Sequence, residues 1–173
     1  KEGWIDRTRD YVVTGRERHV ARAREGSLPY PQRAIRTRDF LYIRNFAPDR
    51  WPMGTPTGLD DQATEPTFEQ VREDTFVCFG DLDASPTKAW MVKHRQDPQW
   101  QEHWQLGFGK RPAEELYDLR RDADQMHNVA DDPAYAEERA NLSERLMGIL
   151  RATEDPRVQG DGLTFERPPF VSQ

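Results

Sequence analysis

Two short runs separated by two polar residues constrain this chain more than any other feature in it. Arg33-Ala34-Ile35-Arg36-Thr37 and Phe40-Leu41-Tyr42-Ile43-Arg44-Asn45 both alternate, both are rich in β-branched or aromatic side chains, and Arg38-Asp39 lies between them. That pattern requires a hairpin half buried on one face. Arg38-Asp39 lacks the glycine of a tight primed turn, so a connection longer than two residues is allowed for. Further short strands are predicted at Asp10–Thr14, in an apolar stretch that also holds Trp4 and Ile5, and at Glu115-Leu116-Tyr117-Asp118-Leu119. Residues 16–32 read as an exposed basic loop.

A hairpin needs a cover, and the sequence supplies one. Asp132 in the capping position, Pro133 behind it, and Tyr135, Leu142, Leu146, Ile149 and Leu150 on one face predict an amphipathic helix through about Thr153. Shorter helices are predicted at Phe68–Asp74, started by Thr67, at Lys88–Arg95, started by Ser85-Pro86, and at Gln99–Gly107, started by Asp97-Pro98. In the last of these Trp100 and Trp104 share a face. Pro48, Pro52, Pro56 and Pro66 with Gly54 and Gly58 make residues 47–66 a long surface loop, a type of segment often functional or partner-bound. The expected fold class is therefore α+β: a small antiparallel sheet with a long C-terminal amphipathic helix packed on one face, plus long loops. From Glu154 onward, Pro156, Gly160, Gly162, Pro168 and Pro169 indicate an extended tail.

Composition bears on how such a fold is completed. Only 35% of the 173 residues are hydrophobic while 32% are charged, and the mean hydropathy is −0.98. A domain this long normally buries roughly 70% of the surface its unfolded chain exposes, so either much of the chain is irregular or it leans on a partner. The sequence begins at Lys1 without a signal-peptide pattern, and a fragment of a longer protein is expected. No apolar run approaches the ~20 residues of a membrane-spanning helix. Charge is uneven: residues 7–50 hold eleven Arg against five acids, whereas residues 51–173 hold thirteen basic against twenty-four acidic residues. The basic quarter is suited to an anion, since Arg presents a rigid donor fork.

Several chemistries find no support. The single Cys78 excludes an internal disulfide and lies in an apolar stretch where a thiol packs rather than reacts. His19, His94, His103 and His127 lack any spacing that brings two ligands to one metal. Gly107-Phe108-Gly109-Lys110-Arg111 departs from the phosphate-loop pattern and reads as a helix end, and no Gly-x-Ser-x-Gly elbow occurs. The acidic remainder argues against a nucleic-acid surface. One cluster stands out: Thr14-Gly15-Arg16-Glu17-Arg18-His19, three potential cations and a carboxylate where a strand gives way to a loop. It reads either as an anion-binding loop in which Glu17 orients a donor, or as a solvated loop with a local ion pair.

The stretch Tyr30-Pro31-Gln32-Arg33-Ala34-Ile35-Arg36-Thr37-Arg38-Asp39-Phe40-Leu41-Tyr42-Ile43-Arg44-Asn45-Phe46 resembles the carboxy-terminal subdomain of type I sulfatases. A second likeness runs from Gly109 through Glu115-Leu116-Tyr117-Asp118-Leu119 to Asn128-Val129-Ala130 and Asp132-Pro133. Within that family the chain is most similar to the N-sulfoglucosamine sulfohydrolase (heparan N-sulfatase) group, on the strength of Gly15–His19 before the first strand of the hairpin and Asn45–Pro52 after it. Asp122-Ala123 stands where the family often has Asp-Pro.

The resemblance implies residues 1–158 as a sulfatase C-terminal subdomain and 159–173 as an extended tail. It implies a parent enzyme, periplasmic or secreted, that hydrolyses sulfate esters or N-sulfate on sulfated glycans such as heparan sulfate with Ca²⁺ and a formylglycine. Neither cofactor is expected within these residues, because Cys78-Phe79-Gly80 does not match the Cys/Ser-x-Pro-x-Arg motif that yields formylglycine, and the calcium ligands belong to an N-terminal catalytic domain absent here. That domain and the glycan are the implied partners, with no membrane or nucleic acid. His19, Arg18 and Arg16 are implied as substrate-binding residues, none of them catalytic. The alternative is a stand-alone module that binds sulfated carbohydrate without catalysis; an independent enzyme is disfavoured by the lack of a nucleophile.

Overall fold

The computed structural model describes residues 6, 8–60 and 63–170. Four strands, β1 (Val12–Arg16), β2 (Gln32–Arg36), β3 (Phe40–Asn45) and β4 (Glu114–Asp118), form one antiparallel sheet in the order β1-β2-β3-β4. Trp4 and Ile5 lie outside the described residues, and β1 sits two residues later than the alternation suggested. Three residues, Thr37, Arg38 and Asp39, connect β2 to β3, the longer connection that the lack of glycine allowed for, and Thr37 closes it with its own side chain. Thr37 N–H donates to the Phe40 carbonyl (2.9 Å), and its Oγ1 accepts from Phe40 N–H (3.1 Å).

Register puts Val13, Ile35, Tyr42 and Leu116 side by side across the four strands. The long helix α4 (Ala136–Ala152) lays Leu142, Leu146 and Leu150 on that row, with Phe40 completing the core. Each of these buried side chains contributes about 1.5–3 kcal/mol before entropy is counted. Asp132 caps the chain just upstream, accepting from Ala134 N–H, and Pro133–Tyr135 makes a 3-10 turn that leads into α4. The expected α+β sheet with a helix across one face is the observed architecture.

Between β3 and β4 the chain builds a second core from α1 (Phe68–Glu73), α2 (Pro86–Lys93) and α3 (Gln101–Phe108). Thr67 and Gln70 form a reciprocal capping box, and the Ser85 hydroxyl accepts from Lys88 N–H. Asp97-Pro98 opens a 3-10 turn rather than α3 itself. Val71, Cys78, Phe79, Ala89, Val92, Trp104 and Phe108 fill this core. Trp104 stacks on Phe108 there, while Trp100 packs edge-on against Trp90, so the two tryptophans join different clusters. Burial pushes the Cys78 thiol up, in keeping with a packing role.

The segment read as an exposed basic loop is only partly solvated: His19, Arg22 and Glu25 are exposed, but much of the rest packs inward. Ala21, Ala23, Arg24 and Tyr30 are buried, and two 3-10 turns, Ala21–Ala23 and Glu25–Ser27, carry the chain back to β2. Beyond α4, residues 159–170 run through turns and a 3-10 turn at Thr164–Glu166.

Candidate functional site

Where β1 ends, side chains alternate between the two faces of the sheet, and the residues singled out in the sequence go to different places. Arg16 lies on the face away from α4. Its Nη2 donates to Asp81 Oδ2 (2.8 Å) and to the Pro52 carbonyl (3.1 Å), and the side chain remains 30% exposed. Arg18 donates to the Phe165 carbonyl (2.6 Å), and its guanidinium lies 4.2 Å from the centre of the Phe170 ring, so the tail occupies it. His19 is exposed, and no hydrogen bond or ion pair holds its ring among the described residues. The three do not converge on one point.

Glu17 orients neither Arg18 nor His19. It pairs with Arg33 (2.8 Å) and with Arg157 (2.5 Å), at the start of a chain of ion pairs that continues through Glu166 to Arg50 and, from Arg33, to Asp155. Three guanidiniums meet three carboxylates. Gly15 makes the crossing possible, since a Cβ there would stand 2.9 Å from Arg33 Cδ. Burial opposes the charge on Arg33, yet the hydrogen bonds to Asp155 and Glu17 outweigh it and hold the pKa above the ordinary arginine value.

A second cluster is less balanced. Asp81 accepts from both Arg16 and Arg24, and also from Val20 N–H (3.3 Å), which ties the loop after β1 to the helical insertion. Two guanidiniums thus share one carboxylate.

At the foot of this cluster a pocket of about 370 Å³ opens on the sheet face opposite α4. Arg16, Gln32, Tyr30, Glu115, Tyr117 and Arg111 supply its polar lining. Glu115 is fixed by Asn45 Nδ2 (2.7 Å) and the Tyr117 hydroxyl (2.7 Å). Tyr30 is 1% exposed, and its hydroxyl has no hydrogen-bond partner among the described residues. Burial, with Glu115 nearby, pushes its pKa up to about 12, so at neutral pH it remains a donor. Donors from Arg16, Arg111, Gln32 and Tyr30 beside one carboxylate suit a polar ligand bearing negative charge.

Of this constellation only Arg16 was singled out in the sequence. Tyr30, Arg111 and Glu115 sit inside stretches that carry the family likeness, but Asp81 comes from a distant loop with no local signal. Among the described residues, no group of three His, Cys, Asp or Glu side chains is placed to hold a metal ion. No protein-family model matches the chain, and no curated protein matches it.

Proposed function

We propose that this chain is the C-terminal subdomain of a sulfatase that acts on sulfated glycans, as a sulfuric ester or N-sulfoglucosamine hydrolase, and that it forms part of the substrate-pocket wall. The observation that carries this reading is Arg16. It follows the Gly15 that opens the family-like stretch, and it lines a cationic pocket whose other polar walls, Tyr30 and Glu115, come from the two further stretches of likeness. The pocket's volume falls within the roughly 300–1,000 Å³ of small-ligand sites. Arg16 and Arg111 are the residues assigned to the sulfated sugar, with His19 at the exposed end of the same loop. Arg18 joins them only when the tail withdraws.

The calcium and formylglycine that the likeness implies do not fit the residues described. No acidic cluster is placed for calcium, and Cys78 is 1% exposed within the helical core. No bond-breaking step is therefore assigned to this chain.

Sulfate release from N-sulfoglucosamine and from glucosamine 6-sulfate tests the reading directly. A longer polypeptide containing this sequence is expected to release sulfate, and the 173-residue chain alone to release none. Arg16→Ala in the longer protein is expected to raise KM about tenfold with a smaller change in kcat, as loss of a ground-state contact requires. Release by the isolated chain, or an unchanged specificity constant in both Arg16→Ala and His19→Ala, overturns the assignment.

A further inference from the structure

The proline-rich stretch has a use of its own. Between the 3-10 turns around Arg22–Glu25 and the segment from Trp51 to Asp60 lies a separate cleft of about 550 Å³, closed by Phe76 and Gly80. Its floor is built from backbone. Thr55 N–H donates to the Ala23 carbonyl (2.9 Å), Phe79 N–H to the Thr55 carbonyl (2.9 Å) and Asp81 N–H to the Met53 carbonyl (3.0 Å). Gly54, at φ +104°, lets these segments touch: a Cβ there would fall 2.6 Å from Gly80 N and 2.7 Å from the Ala23 carbonyl oxygen. A floor fixed in advance lowers the ordering cost of binding.

Charge beneath this floor is shared unevenly, since Arg24 and Arg16 divide the one carboxylate of Asp81. Arg24, part of the cleft wall and with a side chain only 5% exposed, donates from Nε to the Trp51 carbonyl (2.8 Å) and from Nη2 to the Pro52 carbonyl and Asp81. Its Nη1 is buried and has no hydrogen-bond partner among the described residues. Burial outweighs Asp81 and lowers the Arg24 pKa, the reverse of what Arg33 and Arg157 experience in their balanced network. Arg22, exposed, lies over the face of Phe76 at 3.6 Å from the ring centre. Glu25 and Asp60, both exposed, also line the cleft.

A bare anion gains from Arg22 and from Arg24, which shares its carboxylate with Arg16, but is repelled by Glu25 and Asp60. An uncharged sugar offers hydroxyls to Glu25 and Asp60 and leaves the guanidiniums of Arg22 and Arg24 without an anion of its own. We propose that this cleft binds a saccharide unit bearing one anionic group, with the anion on the Arg22–Arg24 side and the ring hydroxyls donating to Glu25 and Asp60. The site is separate from the pocket at Arg16, and the inference does not depend on sulfate hydrolysis.

Calorimetric titration of the 173-residue chain with glucose 6-sulfate, glucuronate, glucose and inorganic sulfate tests it. The two charged sugars are expected to bind at least tenfold tighter than glucose or inorganic sulfate. Arg22→Ala and Phe76→Ala, both at exposed positions, are expected to weaken them at least fivefold, whereas Arg38→Ala on the hairpin turn changes nothing. Asp60→Asn is expected to move the ligands in opposite directions, weakening glucuronate and tightening inorganic sulfate. The proposal is overturned by no binding of either charged sugar, by glucose or sulfate matching them, or by full affinity in Arg22→Ala, which places the ligand elsewhere. Since the readout is binding, a failure here leaves the sulfate-release result to stand or fall alone.

Discussion

Lys88 shows how much one side chain can organise without leaving a trace in the sequence. It is 1% exposed on α2, and its ammonium donates to the carbonyls of Thr75 (2.9 Å), Leu82 (2.9 Å) and Phe79 (3.3 Å). Those three bonds close the loop that holds Phe79 at φ +49°, a strained conformation for an aromatic residue that its edge contacts with Trp51, Trp104 and Phe108 repay. Lys88→Met removes the donor and leaves buried carbonyls unpaired, at about 1–3 kcal/mol for each group that water cannot reach. A loss of about 2–4 kcal/mol in urea unfolding is expected. Gly15 offers a sharper measurement. Gly15→Ala should cost about 1–2 kcal/mol in the parent sequence, and most of that should vanish in an Arg33→Ala background, because the clash is with Arg33. Cys78 could be assigned to packing from its apolar neighbours. Nothing around Lys88 distinguishes it from a solvated helix lysine, and its role depends on carbonyls that only the fold brings together.

Elements were legible where a local rule governs them. The caps at Thr67, Ser85 and Asp132 depend on side chains within a few residues of the helix they start, and each is found where the sequence placed it. The alternation of β2 and β3 likewise reports one buried face. The absence of glycine at Arg38-Asp39 agrees with the three-residue connection between them, but the closing bond from Phe40 N–H to the Thr37 hydroxyl is a choice that sequence spacing does not encode. The site was less legible than the fold, since Arg16 reaches Asp81 across 65 positions of chain. Asp118, the last residue of β4, links two elements: it takes both Arg120 nitrogens (2.8 and 2.7 Å) and the Tyr135 hydroxyl (3.1 Å) at the entrance to α4. The Arg120 side chain first, and then its backbone N–H and Tyr135, hold the Asp118 carboxyl at about 2. A carboxyl depressed from the usual ~3.9 supplies stability above that value and loses it as pH falls toward 2. Thermal melts should therefore show Asp118→Asn below the parent at pH 7, with the gap narrowing from pH 4 to pH 2. A gap of constant size would remove Asp118 from the acid response.

On the scale of the molecule, the chain divides its few aliphatic and aromatic side chains between two small cores. Its cohesion rests in part on ion pairs that reach from the tail to the sheet. Glu166 accepts from Arg50 (3.0 Å) and Arg157 (2.8 Å), and the Phe165 carbonyl accepts from Arg18 (2.6 Å). The tail beginning at residue 159 is thus a strap rather than an appendage, and a chain ending at Val158 would leave Arg50 and Arg157 short of a carboxylate. Removing one partner of a buried pair costs about 3–5 kcal/mol when water is fully excluded. Here Glu166 is 13% exposed and Arg50 25% exposed, so screening reduces the loss to roughly 2 kcal/mol. Urea unfolding of the shortened chain should reveal that loss, together with a partial recovery in high salt, which screens the unpaired guanidiniums from one another. The same truncation uncovers Arg18. If the loop after β1 faces an anionic ligand, the shortened chain should bind glucose 6-sulfate more tightly even as it becomes less stable, and these opposite signs separate a strap that merely holds the fold from one that also guards a donor.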